Sequence, residues 1–364
     1  MNILVAPNSM KGSLNAFDFA NTIEAALLHS GLICSIKKIP VADGGDFTGE
    51  ILRQAIDAEP INLQVTGPLS DPVNATYWIS GKKAIIEMAE ASGMKQVKTE
   101  RLNPLKATSF GTGQLILDAK DKGCNEIWLA IGGSATVDGG MGMLEALGFC
   151  FIDNNGEILK GNGENLIKIN RLIKAGSHKN ISFKIICDVD NPLLGGNGAA
   201  AVFGPQKGAT PEMVKKLERG LKHWNEFLFR ETGKYLADIK GSGAAGGIAV
   251  PLLAFYNTAM EEGASFVLDK LNFEEHIRWA DIVITGEGKI DSQTNNLKAP
   301  FVVAQLAGKH QKPVYAFTGI EEKISPNPFA AIYSLVDHSV TQKEALENTV
   351  KLLFKKVLNF SESL

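Results

Sequence analysis

Glycine-rich bends mark the places where this chain could hold a ligand, and most of them also carry an acid, a lysine or a hydroxyl. They are MKGS (10–13), ADGGD (42–46), SFGTG (109–113), IGGSATVDGG (131–140), GPQKG (204–208), GSGAAGG (241–247) and TGEGKID (285–291). Without side-chain bulk, the backbone N–H groups of such a bend can approach an anion closely. Where the bend opens a helix, the helix dipole adds to the attraction. A tight turn between strand and helix uses glycine for its own geometry, so any single bend says little. The set together, several members bearing a carboxylate, points to phosphate. A carboxylate beside a phosphate cradle is unfavourable unless a cation or an arriving proton compensates for it. Phosphoryl transfer supplies both, as Mg2+ and as the proton of the accepting hydroxyl.

Individual residues divide by chemistry. Lys11, in a glycine-bracketed loop after the first apolar run, is the candidate cation for a carboxylate or a phosphoryl group. Asp43 lies in the corresponding loop after the second run, where an Asp also serves turns. Asp188 and Asp190 follow the run Phe183 to Cys187 in CDVDNPLLGG. Acids at the C-terminal end of a strand in an α/β sheet face the usual binding crevice, and once the strand has ended both could reach a metal. Glu287 and Asp291 form a second acidic group, with Lys298 just beyond. His29, His178, His223, His276, His310 and His338 form no HExxH motif and adjoin none of these bends, so they read as structural or solvated. Trp128 and Trp279 sit beside apolar runs and read as core.

Common nucleotide signatures are missing. There is no GxxxxGK[ST], and GGDFT only partly resembles a kinase DFG, with Thr48 where glycine would stand and no HRD before it. Gly241-Ser-Gly243-Ala-Ala-Gly246 does match GxGxxG, which keeps an NAD(P)-dependent oxidoreductase as an alternative. The preceding Tyr235 to Lys240 reads as a poor strand, and that motif carries weight only inside a strand-turn-helix unit.

The elements that must position these residues alternate. Ile3 to Ala6, Ile33 to Ile39, Ile127 to Ile131, Phe183 to Cys187, Ile282 to Thr285 and Val314 to Phe317 read as strands separated by helical patterns. That alternation predicts an α/β fold with a mainly parallel sheet. Asn15 can cap a first helix whose apolar stripe is Phe17, Ala20, Ile23, Ala26 and Leu27. The last helix shows Leu346, Val350, Phe354 and Val357 or Leu358 on one face. NATYWISGKKAIIEM (74–88) interrupts the alternation as an antiparallel hairpin about a Gly-Lys-Lys turn, and the alternation resumes near Asp281. This places one α/β domain at 1–73 plus 285–364 and a second, inserted one at 74–284.

Composition agrees. The 364 residues are 45% hydrophobic and 21% charged with a net charge of −3, so no basic excess suggests nucleic acid or a membrane surface. Cys34, Cys124, Cys150 and Cys187 are scattered without a CxxC pair, which fits a reducing cytoplasm. No apolar run reaches the roughly 18 residues of a membrane span.

The blocks PNSMKGSL, PVADGG, GTG, IGGSATVDGG, CDVDNPL, FGPQKGA, GAAGG and ITGEGKIDSQT, in that order, resemble the type 1 glycerate kinase family of bacteria. The resemblance runs from the first strand to about Gly319. It implies transfer of the ATP γ-phosphate to D-glycerate, with 2-phosphoglycerate as the product and Mg2+ required. It also implies two α/β domains, one Rossmann-like and built from both chain ends, with the active site in a cleft between them. Phosphorylation at the 3-hydroxyl, or a non-catalytic sugar-acid sensor, are the neighbouring readings. A monomer or homodimer in the cytoplasm is expected.

On that reading Asp188 or Asp43 accepts the hydroxyl proton, with Asp188 preferred, and Lys11 neutralises the glycerate carboxylate or the phosphoryl group. Gly111, Gly113, Gly132, Gly133, Ser134, Gly286 and Gly288 are the candidates for holding ATP, and Asp291, Glu287 and Asp190 for holding Mg2+. The chain departs from the family pattern at Asn8 and Met10, where PDSFKGS is usual, at Asp46-Phe47, where ADGGEGT is usual, and at Leu297, where glycine precedes Lys298.

Overall fold

A computed structural model describes residues 1–174, 180–291 and 298–364. His178 and Leu297, both singled out above, lie outside the described residues. In chain order the strands are β1 (Asn2–Pro7), β2 (Ser35–Lys38), β3 (Glu59–Thr66), β4 (Pro72–Ser80), β5 (Lys83–Glu87), β6 (Glu126–Ala130), β7 (Cys150–Ile152), β8 (Ile158–Leu159), β9 (Arg171–Ile173), β10 (Ser182–Cys187), β11 (Asn257–Glu262), β12 (Ile282–Ile290), β13 (Val314–Glu321) and β14 (Ala331–Ser334). The expected α/β class with mainly parallel sheets is what forms.

Two compact units emerge: residues 1–43 with 262–364, and residues 44–261. The borders drawn from the sequence, after 73 and before 285, lie elsewhere. The hairpin at 74–88 is present, as β4 and β5 pair antiparallel with Trp78 opposite Ile85. A strand precedes it, however. β3 pairs antiparallel with β4 from Glu59 opposite Ile79 to Thr66 opposite Pro72, which carries residues 59–66 into the middle unit's sheet. β3 alternates exposed and half-buried positions along most of its length, so it gave no apolar run to read.

In the unit built from both chain ends, the sheet order is β14-β13-β12-β1-β2, with every pairing parallel. Its central strands are apolar on both sides, as a sheet covered by helices on both faces requires. Along β1, Leu4 and Ala6 join one buried cluster and Ile3 and Val5 another. Asn15 caps the helix Ala16–His29 by accepting from the Asp18 N–H at 2.8 Å. Its buried face is Ala16, Phe19, Ala20, Ile23, Ala26 and Leu27. Phe17 from the expected stripe is only half-buried, and Phe19 takes the core position against β12.

The C-terminal stripe is corrected more strongly. Leu346 and Val350 are exposed, while Leu353, Val357 and Phe360 face the core. The helix Gln342–Glu347 stops at Asn348 and a new helix starts at Thr349, so no single helical phase runs through both.

In the middle unit the sheet order is β11-β10-β6-β5-β4-β3, with β5, β6 and β10 mutually parallel. One large cluster fills it, including Tyr77, Leu129, Phe183 and Trp224. Among the described residues no helix is long and apolar enough to cross a membrane.

Candidate active site

Parallel strands leave their C-terminal ends on one edge of the sheet, where the following loops collect. In the middle unit those ends carry Glu87 from β5, Gly132 to Ser134 after β6, and Asp188 after β10. The bend after β6 is held on both flanks. Gly132 donates its N–H to the Gly44 carbonyl at 2.9 Å, and a Cβ at Gly132 would lie 2.5 Å from the Cα of Gly45, so this contact between the two loops demands glycine. Farther on, Met94 N–H donates to the Gly133 carbonyl and Ala135 N–H to the Ser92 carbonyl, both at 2.9 Å. Gly133 is exposed with φ +72°. Among the described residues no acceptor takes the N–H of Gly133 or of Ser134. Two consecutive amides left without an acceptor on a left-handed bend at a strand end have the form that can receive an anion.

Beneath this bend lie two groups that the sequence reading passed over. Lys207 is 2% exposed, and its Nζ donates to Ser134 Oγ and to the Thr136 carbonyl, each at 2.7 Å. Asp138 is fully buried and accepts from Ser109 N and Ser109 Oγ at 2.7 Å, Gly140 N at 3.1 Å and Gly142 N at 3.3 Å. Burial raises its carboxyl pKa, and those donors oppose the rise. Asp138 therefore supplies the anion at the start of the helix Phe110–Asp121.

Gly111 and Gly113 have a packing role here. Both are buried in this helix, and a Cβ would lie 2.0 Å from the Thr66 carbonyl oxygen at one and 2.4 Å from that of Met143 at the other. Close helix packing by itself demands glycine at both positions.

GSGAAGG packs in the same way. No strand precedes it, all its residues are buried, and Gly246 sits with φ +71° against the Thr136 carbonyl, its own carbonyl taking the Gly139 N–H at 2.9 Å. The motif buttresses the 136–140 segment, so the dinucleotide reading fails.

Asp46 is half-buried beside the bend, its Oδ1 3.2 Å from where a Gly133 Cβ would stand. Phe47 after it has φ +65°, a left-handed conformation that costs a side chain about 1 kcal/mol or more. Glycine in the family pattern at this position has that physical reason. Glu87 is 4% exposed and accepts from the Gly49 N–H at 2.7 Å. Burial pushes its carboxyl up to about 7, against the pull of that amide and of Lys95; Glu90 and Asp46 add to the rise.

Asp188 is half-buried where β10 ends. Asp190 parts company with it: exposed, it pairs with Lys240 at 3.1 Å.

In the other unit the C-terminal edge gathers the loops after β1, β2 and β12. Asn8 Nδ2 donates to Asp43 Oδ2 at 2.9 Å, and both residues are buried. The amide that replaces the family's acid thus satisfies Asp43 without a second negative charge. Lys11 is exposed on the same loop, and Gly288 of β12 faces its backbone, with a would-be Cβ 3.3 Å from Lys11 N. Gly286 is a packing glycine, since a Cβ would meet the Phe317 carbonyl oxygen at 2.1 Å and the Phe19 ring at 2.6 Å. Glu287 and Asp291 are 6% and 8% exposed, with Lys298 3.8 Å from the first and Lys289 3.1 Å from the second.

One parallel and one mixed sheet, with glycine bends and carboxylates at the C-terminal ends of their parallel strands, define an α/β protein of the kind that binds ligands at strand ends. Residues 3–363 match the glycerate kinase family, and the chain belongs to that family. It is 40% identical to a glycerate kinase of Halalkalibacterium halodurans, over 99% of this chain and 97% of that one. It is 43% identical to the glycerate 2-kinase of Escherichia coli K12, over 88% and 85% of the two chains. The crystal structure of a Salmonella typhimurium LT2 protein, a candidate glycerate kinase 2, superposes with a TM-score of 0.83 at 39% identity, covering 100% of this chain and 98% of the other.

Proposed function

We propose that this protein transfers the γ-phosphoryl group of ATP to the 2-hydroxyl of D-glycerate, giving 2-phosphoglycerate and ADP. The observation that carries the reading is the bend after β6, where the Gly133 and Ser134 N–H groups find no acceptor among the described residues and Gly133 stands open to solvent. Amides so placed suit ATP phosphate oxygens, and Gly132 keeps the loops close behind them. The 2-position follows the name of the Escherichia coli relative.

In the proposed reaction the glycerate hydroxyl oxygen bonds to the γ-phosphorus as the bond from that phosphorus to the β,γ-bridging oxygen breaks. The hydroxyl proton passes to Asp188, and the electron pair of the broken bond leaves with ADP. Asp43, held by Asn8, is the other candidate base. Lys11, exposed beside Gly288, neutralises the glycerate carboxylate or the phosphoryl group.

Glu287 and Asp291 suit Mg2+ as a donor set, because that ion takes hard oxygen ligands and is held by one or two carboxylates while phosphate oxygens and water fill the rest. Among the described residues no three acidic, histidine or cysteine side chains gather at one point, which fits an ion shared with the nucleotide. Bound there, Mg2+ would neutralise charge on the phosphates.

The test is a 31P spectrum of the product from ATP and D-glycerate. Phosphorus on the 2-oxygen couples to a single methine proton and splits as a doublet. Phosphorus on the 3-oxygen couples to a methylene and splits as a triplet. The triplet refutes the regiochemistry, and no ADP release in a coupled assay refutes kinase action in favour of a sensor.

A further inference from the structure

Lys207 is a buried cation that the proposed chemistry leaves unused. Its side chain leaves the turn Pro205–Lys207, points inward and is 2% exposed. Desolvating an ammonium costs several kcal/mol unless close partners compensate, and a methionine of similar length would avoid that cost. The partners here are neutral: the Ser134 hydroxyl and the Thr136 carbonyl, both in the bend after β6. Among the described residues no carboxylate lies within ion-pair distance of Nζ. Asp138 is the charged group that acts on it, from farther off, and that carboxylate is already committed to Ser109, Gly140 and Gly142. Among the described residues, a positive charge without a contact counter-ion therefore sits under two amides without an acceptor.

Resting on the proposed phosphoryl transfer, we infer that Lys207 is a positioning residue for the nucleotide: from below it fixes Ser134 and the Thr136 carbonyl so that the Gly133 and Ser134 amides stay aimed at an incoming phosphate, and its charge favours that anion through the loop. It touches no substrate atom. The neighbouring glycines are consistent with this arrangement. Gly208 has φ +88° and a would-be Cβ 2.5 Å from the Leu102 carbonyl oxygen, so the turn is pinned from outside while its lysine reaches in. Burial also pushes the ammonium down to about 7, with Asp138 opposing. Loss of that charge as pH rises is therefore expected to weaken nucleotide binding over the same range.

The experiment measures kcat and the KM values for ATP and D-glycerate from pH 5.5 to 9 in the wild type, Lys207→Met and Ser134→Ala, with urea unfolding of each. Displacing an amide that would bond a phosphate oxygen removes a charge-assisted hydrogen bond to the nucleotide, which corresponds to about tenfold or more in binding. Lys207→Met is expected to raise KM for ATP by about that factor while KM for D-glycerate stays within about twofold. The decline of kcat/KM for ATP through pH 7 in the wild type is expected to vanish in the variant, since that profile reports the free enzyme. Ser134→Ala removes one oxygen and is expected to raise KM for ATP in the same direction, which keeps the test open if Lys207→Met does not fold. Folded variants whose KM for ATP and pH profile match the wild type overturn the inference. A wild type with no phosphoryl transfer at all overturns the underlying function instead.

Discussion

Replacing Glu87 with Gln should make the pH dependence of stability flatter, and the size of the change follows from the site. Glu87 is 4% exposed at the C-terminal end of β5, and its carboxyl is raised from 4.5 to about 7 mainly by burial. At about 1.4 kcal/mol for each tenfold change in proton affinity, ionising it in the fold rather than in the unfolded chain costs about 3 kcal/mol. Because the folded pKa is the higher one, this contribution to stability is fully present below about 4.5. It is lost as pH rises through about 7. Gln keeps an oxygen for the Gly49 N–H but carries no proton to lose. The stability of Glu87→Gln relative to the wild type should therefore climb by up to about 3 kcal/mol between pH 4.5 and 8, whatever offset the new amide N–H groups introduce at low pH. Urea unfolding followed by tryptophan fluorescence suits the measurement, since Trp78, Trp128 and Trp224 belong to the same unit as Glu87. The other carboxylates titrate in both proteins and cancel in the difference. Parallel stability curves across that pH range would refute the reasoning, because they would mean that Glu87 gains no proton affinity on folding.

Asp188→Asn should lower kcat by about 10²–10⁴ with little change in the unfolding transition, as expected for a lost general base; near-wild-type turnover removes it from that role. Two glycine substitutions should separate packing from binding. Gly111→Ala, which drives a Cβ to 2.0 Å from a backbone oxygen, should cost about 2–3 kcal/mol of stability with KM for ATP unchanged. Gly133→Ala should cost about 1 kcal/mol for its left-handed backbone and raise KM for ATP several-fold; steady-state kinetics beside urea melts check both. Phe47→Gly should stabilise by about 0.5–1 kcal/mol, the relief of the left-handed backbone at φ +65° outweighing the entropy glycine adds to the unfolded chain, and urea denaturation reads it directly. Asp291→Asn should raise the Mg2+ concentration needed for half-maximal rate by about tenfold or more, as weakened metal ligation does, which a Mg2+ titration at saturating ATP measures.

Strands such as β1, β6, β10, β12 and β13 were legible because a parallel sheet covered on both faces forces an unbroken apolar run, and each run stands out against its glycine-rich exit. β3 was not, since a strand exposed along much of its length carries no such run. The stripe of the last helix misled because spacing alone does not reveal the break at Asn348. The site divides in the same manner. The bend at Gly132 to Ser134, Asp188 and Asp43 were legible as polar or glycine-rich loops after strands, and that is where they stand. Gly111, Gly113, Gly286 and the GSGAAGG segment looked the same on paper, yet each fills a place where backbone meets backbone. Glu87, Asp138 and Lys207 were missed because nothing in their local context separates a buried charge from a solvated one, although GPQKG and VDGG had flagged their neighbourhoods for two of the three.

The order of apolar runs along the chain was enough to determine the α/β class, because periodicity is a local property written residue by residue, and the motif blocks carried the resemblance to the family. Which glycine faces a ligand and which faces a carbonyl, and which lysine or carboxylate loses its water, were decided only when distant segments came together. Those outcomes depend on what occupies the space beside each residue, and that neighbour comes from elsewhere in the chain: Thr66 against Gly111, Ser134 above Lys207, Gly49 against Glu87.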